Sequence, residues 1–247
     1  MVRTAALLVV AGLCIFVLSQ AGGAALAQDA PPDVGPAVLE NALTEPGLLR
    51  AFTSPTGRCS GQFANDGYTL TTSGGCQAPT QVAVTNLNIR GLTMADGEVR
   101  VDLRPLNKMY RTIFQLWIRF QGDTDGQRYY VAVNPVNATV QLTVRSNGKD
   151  TVLSERTDLA GVYVPDDWNT VSLRAQGSNL WVLINGQPAV SATDSAFDRG
   201  GVVMLLSRVG PPDPSDTEEA SVAIRNLRVA PLAGADQTRA PAYTPPP

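Results

Sequence analysis

The chain has 247 residues, of which 44% are hydrophobic and 17% charged, and its formal net charge is −3. This is the composition of a globular protein, and the negative charge argues against nucleic acid or an anionic membrane as a partner. The sequence contains no histidine, which argues against a Ser-His-Asp triad and an ordinary zinc site.

The first 27 residues have the features of a secretory signal peptide. Arg3 precedes the apolar run "AALLVVAGLCIFVL" at 5–18, and "ALA" at 25–27 is a small-residue cleavage site that would leave Gln28 at the mature N-terminus. The alternative is an uncleaved membrane anchor, but the apolar run is shorter than the ~20 residues that span a bilayer. We therefore expect a protein that is secreted or held in the periplasm or at the cell surface.

Two cysteines, Cys59 and Cys76, remain after removal of the signal peptide. In an exported chain, two cysteines predict one disulfide, which would hold an early hairpin near the edge of the domain. The alternative is a pair of free thiols for metal or redox chemistry. The sequence offers no other soft ligand to support it.

Composition divides the rest of the chain into one domain with two flanking arms. Residues 28–46 and 231–247 are rich in proline and alanine, which predicts a disordered linker and a disordered tail. Between them, residues 47–230 read almost wholly as β. Alternating runs lie at 67–72, 82–89, 97–105, 112–120, 128–135, 138–146, 169–176, 180–186, 187–193, 200–208 and 220–230. The helix candidates are the short pieces 38–43 and 195–198. This pattern predicts two packed antiparallel sheets.

A recurrent order of motifs covers 166–207. Trp168-Asn169 opens a strand, a glycine turn follows, the next strand ends in Asn185-Gly186, and an Asp…Phe…Gly-Gly segment leads into a further strand. With the closing strand at 220–229, this order resembles the concanavalin A-like lectin/glucanase jelly roll. It is most similar to the laminin G-like and 3-keto-disaccharide hydrolase-like branches of exported bacterial proteins. The resemblance spans about residues 47 to 230 and implies an all-β, two-sheet antiparallel jelly-roll sandwich. Its motifs are structural, so they bear on fold more than on activity.

Three consecutive strands carry the candidate binding face. The segments 112–120, 128–135 and 138–146 are joined by short turns, so we expect them to be neighbours in one sheet. Alternation sends successive side chains to opposite faces. On the first strand, the predicted core set is Phe114, Leu116, Ile118 and Phe120. The opposite face is predicted to carry Gln115, Trp117, Arg119, Tyr130, Asn134, Gln141, Thr143 and Arg145.

In jelly rolls of the family that this chain resembles, sugars bind to the concave sheet. A carbohydrate site needs an aromatic plane for the apolar face of the sugar and planar polar groups for its hydroxyls. The predicted ligand-binding residues are therefore Trp117 and Tyr130 as stacking platforms, with Gln115, Arg119, Gln141 and Arg145 as hydrogen-bond donors. The alternative is an ordinary solvated outer sheet, with Trp117 packed under a loop.

The acidic residues give no catalytic prediction. Glycoside hydrolysis generally uses two carboxylates roughly 5 to 10 Å apart. Glu98 and Asp102 share one face of 97–105 but lie about 13 Å apart along an extended strand, so solvation or pairing with arginine explains them better. The Glu-x-Asp-x-x-Glu signature of the family's glucanases is absent. No cofactor is predicted. Calcium at the loop 122–127 is a weaker alternative to solvated turn acids.

These observations predict an exported, non-catalytic module that binds a glycan or a cell-surface polymer. One alternative is a structural or protein-interaction domain of the laminin G-like kind, with another protein as its partner. The other is a hydrolase of a modified glycoside.

Overall fold

The computed structural model describes residues 30–53, 59–73, 84–107, 112–122, 126–208 and 219–245. In chain order, the first strands are β1 (Leu39–Asn41), β2 (Phe52–Thr53), β3 (Cys59–Ala64), β4 (Gly67–Ser73), β5 (Val84–Asn88), β6 (Leu92–Thr93), β7 (Gly97–Pro105), β8 (Thr112–Phe120) and β9 (Arg128–Asn134). The remaining strands are β10 (Thr139–Ser146), β11 (Lys149–Arg156), β12 (Asn169–Gln176), β13 (Asn179–Ile184), β14 (Gln187–Thr193), β15 (Gly201–Arg208), β16 (Glu219–Ala230) and β17 (Ala242–Tyr243).

No helix occurs among the described residues, so neither predicted helix is present. Residues 39–41 of the first candidate form β1, and residues 195–198 of the second are irregular. Within the same part of the chain, nothing helical is long and apolar enough to cross a membrane.

Two antiparallel sheets make up the sandwich. The large sheet has nine strands in the order β14-β13-β12-β7-β16-β4-β3-β2, and β1 pairs with β16 beyond the end of β4. The small sheet has six strands in the order β11-β10-β9-β8-β15-β5. Strands β6 and β17 form a separate two-stranded ribbon. The predicted all-β, two-sheet antiparallel jelly-roll sandwich is confirmed.

The main core lies between the two sheets and follows the alternation of the strands. On β7, Val99, Val101 and Leu103 are fully buried, and on β8, Phe114 and Leu116 are fully buried against them. Strand β11 was not predicted because its sequence, "KDTVLSER", is mostly polar. It pairs on one side only, at the edge of the small sheet, and most of its residues are exposed.

The predicted hairpin turn at Asn185-Gly186 joins β13 and β14. Both residues have positive φ, 51° and 78°, as a type I′ turn requires. The Asn185 side chain also joins the turn to neighbouring segments, since its Nδ2 donates to Val162 O at 2.8 Å and to Asn169 Oδ1 at 2.9 Å. This stretch therefore builds the sandwich, as its sequence predicts.

The two arms that composition predicts to be disordered lie against the domain where the structure describes them. Residues 39–41 extend the large sheet beside β16. The arms also bond to each other, because Gly35 N donates to Pro231 O at 2.8 Å and Ala233 N donates to Asp33 O at 2.7 Å. Backbone hydrogen bonds of this kind do not depend on an apolar composition, so composition alone does not reveal them.

A buried carboxylate holds the C-terminal arm. Asp96 is 5% exposed, and it accepts hydrogen bonds from Arg239 Nε at 2.8 Å and Arg239 Nη2 at 3.1 Å. In return, Asp96 N donates to Arg239 O at 2.9 Å. Further along the arm, Thr244 N donates to Gly91 O at 3.0 Å. Among the contacts that the structure describes for this arm, the bidentate pair is of the strongest kind.

Replacing Arg239 by glutamine should release this arm. The substitution removes both charge-assisted hydrogen bonds to Asp96, each of a kind worth about 1.5–3 kcal/mol. We expect amide hydrogen exchange to become at least about tenfold faster at position 239 and at Thr244, while the core strand β8 keeps its protection. Unchanged exchange at Arg239 would show that the arm is held by its backbone bonds alone.

Candidate functional site

The outer face of the small sheet, which points away from the main core, carries five of the six predicted binding residues, all except Arg119. In the register of this sheet, Trp117 lies opposite Tyr130 on one side and Val203 on the other. Thr143 follows in the same row, opposite Tyr130, and Gln141 lies opposite Ala132. The three strands β8, β9 and β10 are neighbours, as predicted, and they bring these side chains onto one surface.

An aromatic stack occupies the centre of this face. The Arg128 guanidinium lies 3.5 Å from the centroid of the Trp117 ring and 5.3 Å from the centroid of the Tyr130 ring. Phe120 packs beside Trp117 with its ring centroid at 5.5 Å. We call Trp117, Phe120, Arg128 and Tyr130 the Trp117 stack. A planar cation held between aromatic faces is a favourable arrangement that also positions its N–H donors.

Polar side chains fix the position of the Trp117 ring. Its Nε1 donates to Gln115 Oε1 at 2.7 Å, and Gln115 Nε2 donates to Ser207 Oγ at 3.2 Å. Gln115 is therefore placed beside Trp117, as predicted, but its carbonyl oxygen and its amide nitrogen both have protein partners.

The edge of the face at β10 and β11 is more accessible. Gln141 Nε2 donates to Glu155 Oε1 at 3.0 Å, and Arg145 Nη1 pairs with Asp150 Oδ2 at 2.7 Å. Both pairs are at the surface, where such pairs contribute little to stability and can be exchanged for ligand contacts. Val152 is exposed between them at 49% and offers a small apolar surface.

Arg119 does not lie on this face, although strict alternation placed it there. Its φ of 52° is in the left-handed region, and the pairing of β8 with β15 shifts between Gly201 and Val203. The resulting irregularity turns Arg119 into the interior and moves Phe120 to the outer face beside Trp117. Two predicted placements are thereby reversed, that of Arg119 and that of Phe120.

The centre of the face is covered rather than open. Trp117 is 6% exposed and Tyr130 is 8% exposed. Together with Ala132, Val203 and Leu205 they form a second apolar cluster, separate from the main core. Burial raises the pKa of the Tyr130 phenol to about 12, so this group is a neutral hydroxyl at physiological pH. A ligand that stacks on Trp117 has to displace what now covers it, including the Arg128 guanidinium.

Sequence reasoning missed Val203 and Leu205 as parts of this face, and it missed the stacking of Arg128 on Trp117. Arg128 belongs to the outward set by alternation, but its stacking on Trp117 has no sequence signal. The other two residues lie on β15, which follows β8 by about eighty residues in sequence and pairs with it in the sheet. The predicted outward residue Asn134 serves the β9–β10 turn, since its Oδ1 accepts from Val136 N and Asn137 N, both at 3.0 Å.

The two carboxylates that share one face of β7 have partners that account for them. Glu98 pairs with Arg174 at 2.7 Å, and Asp102 accepts a hydrogen bond from Thr170 Oγ1 at 2.8 Å. Both lie on the large sheet, away from the Trp117 stack. No group of three or more potential metal ligands occurs among the described residues.

Three predictions lie wholly or partly outside the described residues. The first is the signal peptide at 1–27, which is not described at all. Residues 123–125 of the candidate calcium loop are not described. Cys59 begins β3, opposite Thr72 of β4, but Cys76 is not among the described residues. The Cys59–Cys76 disulfide therefore stays a prediction.

Comparison with known proteins identifies the fold. No family model matches the sequence, and no curated protein matches it. Solved structures do match. A carbohydrate-binding module, CBM66 from Bacillus subtilis, is 14% identical with a TM-score of 0.53, covering 70% of this chain and 92% of that one.

Two further structures have the same architecture. The Bacillus licheniformis β-glucanase is 14% identical with a TM-score of 0.55, covering 78% of this chain and 97% of that one. A protein with a galectin-like fold from Bacillus subtilis is 14% identical with a TM-score of 0.53, covering 81% of this chain and 98% of that one. The predicted two-sheet jelly-roll sandwich is thus confirmed as the fold of this chain.

Proposed function

We propose that this chain is a non-catalytic glycan-binding module whose ligand binds the outer face of the small sheet. The observation that carries the proposal is the Trp117 stack, bordered by the Gln141–Glu155 and Arg145–Asp150 pairs. Aromatic planes and planar hydrogen-bonding groups side by side are what sugar recognition requires. A purely solvated outer sheet would need no tryptophan at its centre. The carbohydrate-binding module and the glucanase with the same fold support this choice of ligand class.

Binding at this face would proceed by exchange of contacts. Arg128 moves from the Trp117 ring, and the apolar face of a sugar takes its place. The released guanidinium then donates to sugar hydroxyls beside the ring. At the β10–β11 edge, Gln141 and Arg145 exchange their surface carboxylate partners for hydroxyls of the next sugar unit. An extended polymer would fit this sequence of contacts across the sheet.

The carboxylates of this face favour binding over hydrolysis. Asp150 and Glu155 lie opposite Arg145 and Gln141, which are four residues apart on β10. This spacing corresponds to about 13 Å along a strand. A retaining or inverting pair is generally within roughly 5 to 10 Å.

A protein-interaction role is the second candidate, and a specific observation favours it. At the β10–β11 edge of this face, Val152 presents an apolar side chain that is 49% exposed, while the centre of the face holds the buried apolar residues Ala132, Val203 and Leu205. Apolar side chains on the outer face of a sheet are suited to contact with a protein segment. In that case Trp117 would contribute to packing without contacting a sugar.

Loss of Trp117 separates the two candidates. We expect residues 28–247, the chain without its predicted signal peptide, to bind at least one polymer in a screen of glycans and cell-wall polysaccharides. Trp117→Ala should weaken that binding at least tenfold, since an aromatic contact of about 1.5 kcal/mol or more is lost. Trp117→Phe should retain part of it. The matched control is Trp168→Ala, because Trp168 stacks with Arg104 and Arg225, both on large-sheet strands.

The outcomes are distinct. Binding that survives Trp117→Ala in a folded variant would place the glycan elsewhere on the molecule. A folded wild-type chain that binds no polymer, with or without added calcium, would overturn the glycan proposal and favour the protein-interaction role. Release of reducing sugar during the screen would contradict the non-catalytic assignment.

A further inference from the structure

The outer face of the large sheet carries a band of charged side chains. On β7, the outward positions are Glu98, Arg100, Asp102 and Arg104, which alternate with the buried Val99, Val101 and Leu103. Neighbouring strands add Arg174 on β12 and Arg225 and Arg228 on β16. Charges in such number on one face are expected to pair with one another.

Four of the five arginines in this band are neutralised. Arg174 Nε lies 2.7 Å from Glu98 Oε2, and Arg228 Nη1 lies 3.6 Å from Glu98 Oε1. The two others are Arg225, 3.5 Å from Asp102 Oδ2, and Arg104, 2.6 Å from Asp66 Oδ2. The fifth is Arg100. Among the described residues it has no ion pair and no side-chain hydrogen bond.

Arg100 lies beside a second arginine, Arg228, and the repulsion between the two positive charges favours binding of an anion. It lies directly opposite Arg228 in the pairing of β7 with β16. Like charges in that position repel each other. Arg228 is compensated by Glu98 and by Glu40, whose Oε1 lies 3.1 Å from Arg228 Nε. Arg100 is half-buried and receives no such compensation.

A groove of about 360 Å³ opens over Arg100 and Arg228. The described residues lining it are Glu40, Asn41, Ala42, Arg100, Asn226, Leu227 and Arg228. The groove arises where β16 changes its register with β7 between Arg225 and Arg228, and where Asn226 has a φ of 54°. Strand β1 supplies the opposite wall through Glu40 and Asn41.

We propose that this groove is a binding site for a carboxylate-bearing ligand of about the size of one acidic sugar. Arg100 has a free guanidinium fork, which matches a carboxylate in two parallel hydrogen bonds. Arg228 adds a second positive charge to the same site. Glu40 is 68% exposed in its side chain, so its pair with Arg228 is a surface contact that a ligand carboxylate can replace.

The volume of the groove limits the ligand. Pockets for small molecules begin at about 300 Å³, so 360 Å³ suits a single ring with its carboxylate and not a long segment of polymer. The site lies on the large sheet and therefore does not depend on glycan binding at the Trp117 stack. A chain with both sites would contact an acidic polymer on two opposite faces, or join two polymer chains.

Titration with glucuronate tests the proposal, with glucose as the neutral counterpart and acetate as the carboxylate alone. We expect saturable binding of glucuronate. Calorimetry measures the affinity, and the Nε–H resonance of Arg100 reports whether this side chain is at the binding site. Binding should weaken about tenfold or more in Arg100→Gln, as loss of a charge-assisted pair predicts. Arg100→Lys keeps the positive charge but lacks the two parallel donors of the guanidinium, so it should retain only part of the affinity for glucuronate. Raising the salt concentration should weaken binding in the wild type.

Arg90→Gln is the matched control, since Arg90 is an exposed arginine that does not line the groove. It should bind glucuronate like the wild type. Absence of saturable glucuronate binding would overturn the proposal, and so would equal binding by wild type and a folded Arg100→Gln. Glucose binding that is indifferent to Arg100 would be assigned to the Trp117 stack, so failure at one site is distinguishable from failure at the other.

Discussion

Replacing Arg119 by methionine should lower the free energy of unfolding by about 3–5 kcal/mol, which is typical of breaking a buried ion pair at one partner. The Arg119 side chain is fully buried. Its guanidinium donates to Ala95 O at 2.7 and 2.9 Å, to Phe197 O at 2.8 Å and to Gly177 O at 2.9 Å. These carbonyls belong to segments far apart in sequence, so Arg119 joins several connections of the sandwich at one point.

Methionine would fill much of the same volume but donate no hydrogen bond. The three carbonyl oxygens would lose their donors in a buried place, which is costly. Asp96 would lose the Arg119 contact at 3.3 Å and rely on Arg239 and Gly177 N. Burial lowers the pKa of Arg119 from its ordinary value, and the nearby Asp96 opposes that effect. The Asp96 carboxylate thus favours the charged form that these hydrogen bonds need.

Urea unfolding of the wild type and of Arg119→Met measures the loss in the free energy of unfolding. Arg119→Lys should be intermediate, because an ammonium group cannot reach all three carbonyls at once. Arg90→Met is the control at an exposed arginine and should change stability by less than about 0.5 kcal/mol. A loss below about 1 kcal/mol in Arg119→Met would show that water or neighbouring groups take over these hydrogen bonds.

The same residue shows where prediction from sequence stops. Alternation correctly placed Phe114, Leu116 and Ile118 in the core, because the geometry of a regularly paired strand determines the face to which each side chain points. Alternation failed at the next residue, Arg119, where the backbone enters the left-handed region. Gly200, across the sheet, allows the backbone of Arg119 to approach closely at this point, because glycine has no side chain. A Cβ atom there would lie 2.3 Å from the carbonyl carbon of Arg119.

The candidate site was predictable in composition and register, but not in accessibility. The side chains of Trp117, Tyr130 and Thr143 share one row, as the sequence indicated. Their burial depends on side chains from β15 and on the rotamer of Arg128, which no local pattern encodes. A prediction of an open face assumed that an outward side chain is also a solvated one. In this fold the two properties differ.

Raising the pH above about 10 should destabilise the protein steeply, because three buried tyrosines titrate together. Burial raises the pKa values of Tyr68, Tyr129 and Tyr130 to about 12 each, from an ordinary value of 10.0. Between these values the phenols ionise in the unfolded chain but stay protonated in the folded one. Ionisation therefore favours unfolding, and stability that is fully present below pH 10 is lost as the pH rises towards 12.

The expected size of this loss follows from the shifts. At pH 11, each tyrosine removes about 1.4 kcal/mol, so that the three together remove about 4 kcal/mol. Tyr163 adds to the effect in the same direction, since burial raises its pKa as well. A loss of this size is a large fraction of the stability of an ordinary domain.

Urea unfolding at intervals between about pH 8 and pH 11 measures the slope, and absorbance of tyrosinate follows the ionisation directly. Tyr68→Phe removes one titrating group together with its hydrogen bond to Arg50 O at 2.6 Å. It should lower stability at neutral pH but reduce the alkaline slope by about a quarter, because Tyr68 is one of the four tyrosines whose pKa burial raises. The chain has six tyrosines, so ionisation of more than two of them before the protein unfolds would contradict this expectation. It would mean that the folded state admits the charged phenol, so that burial does not hold these pKa values up.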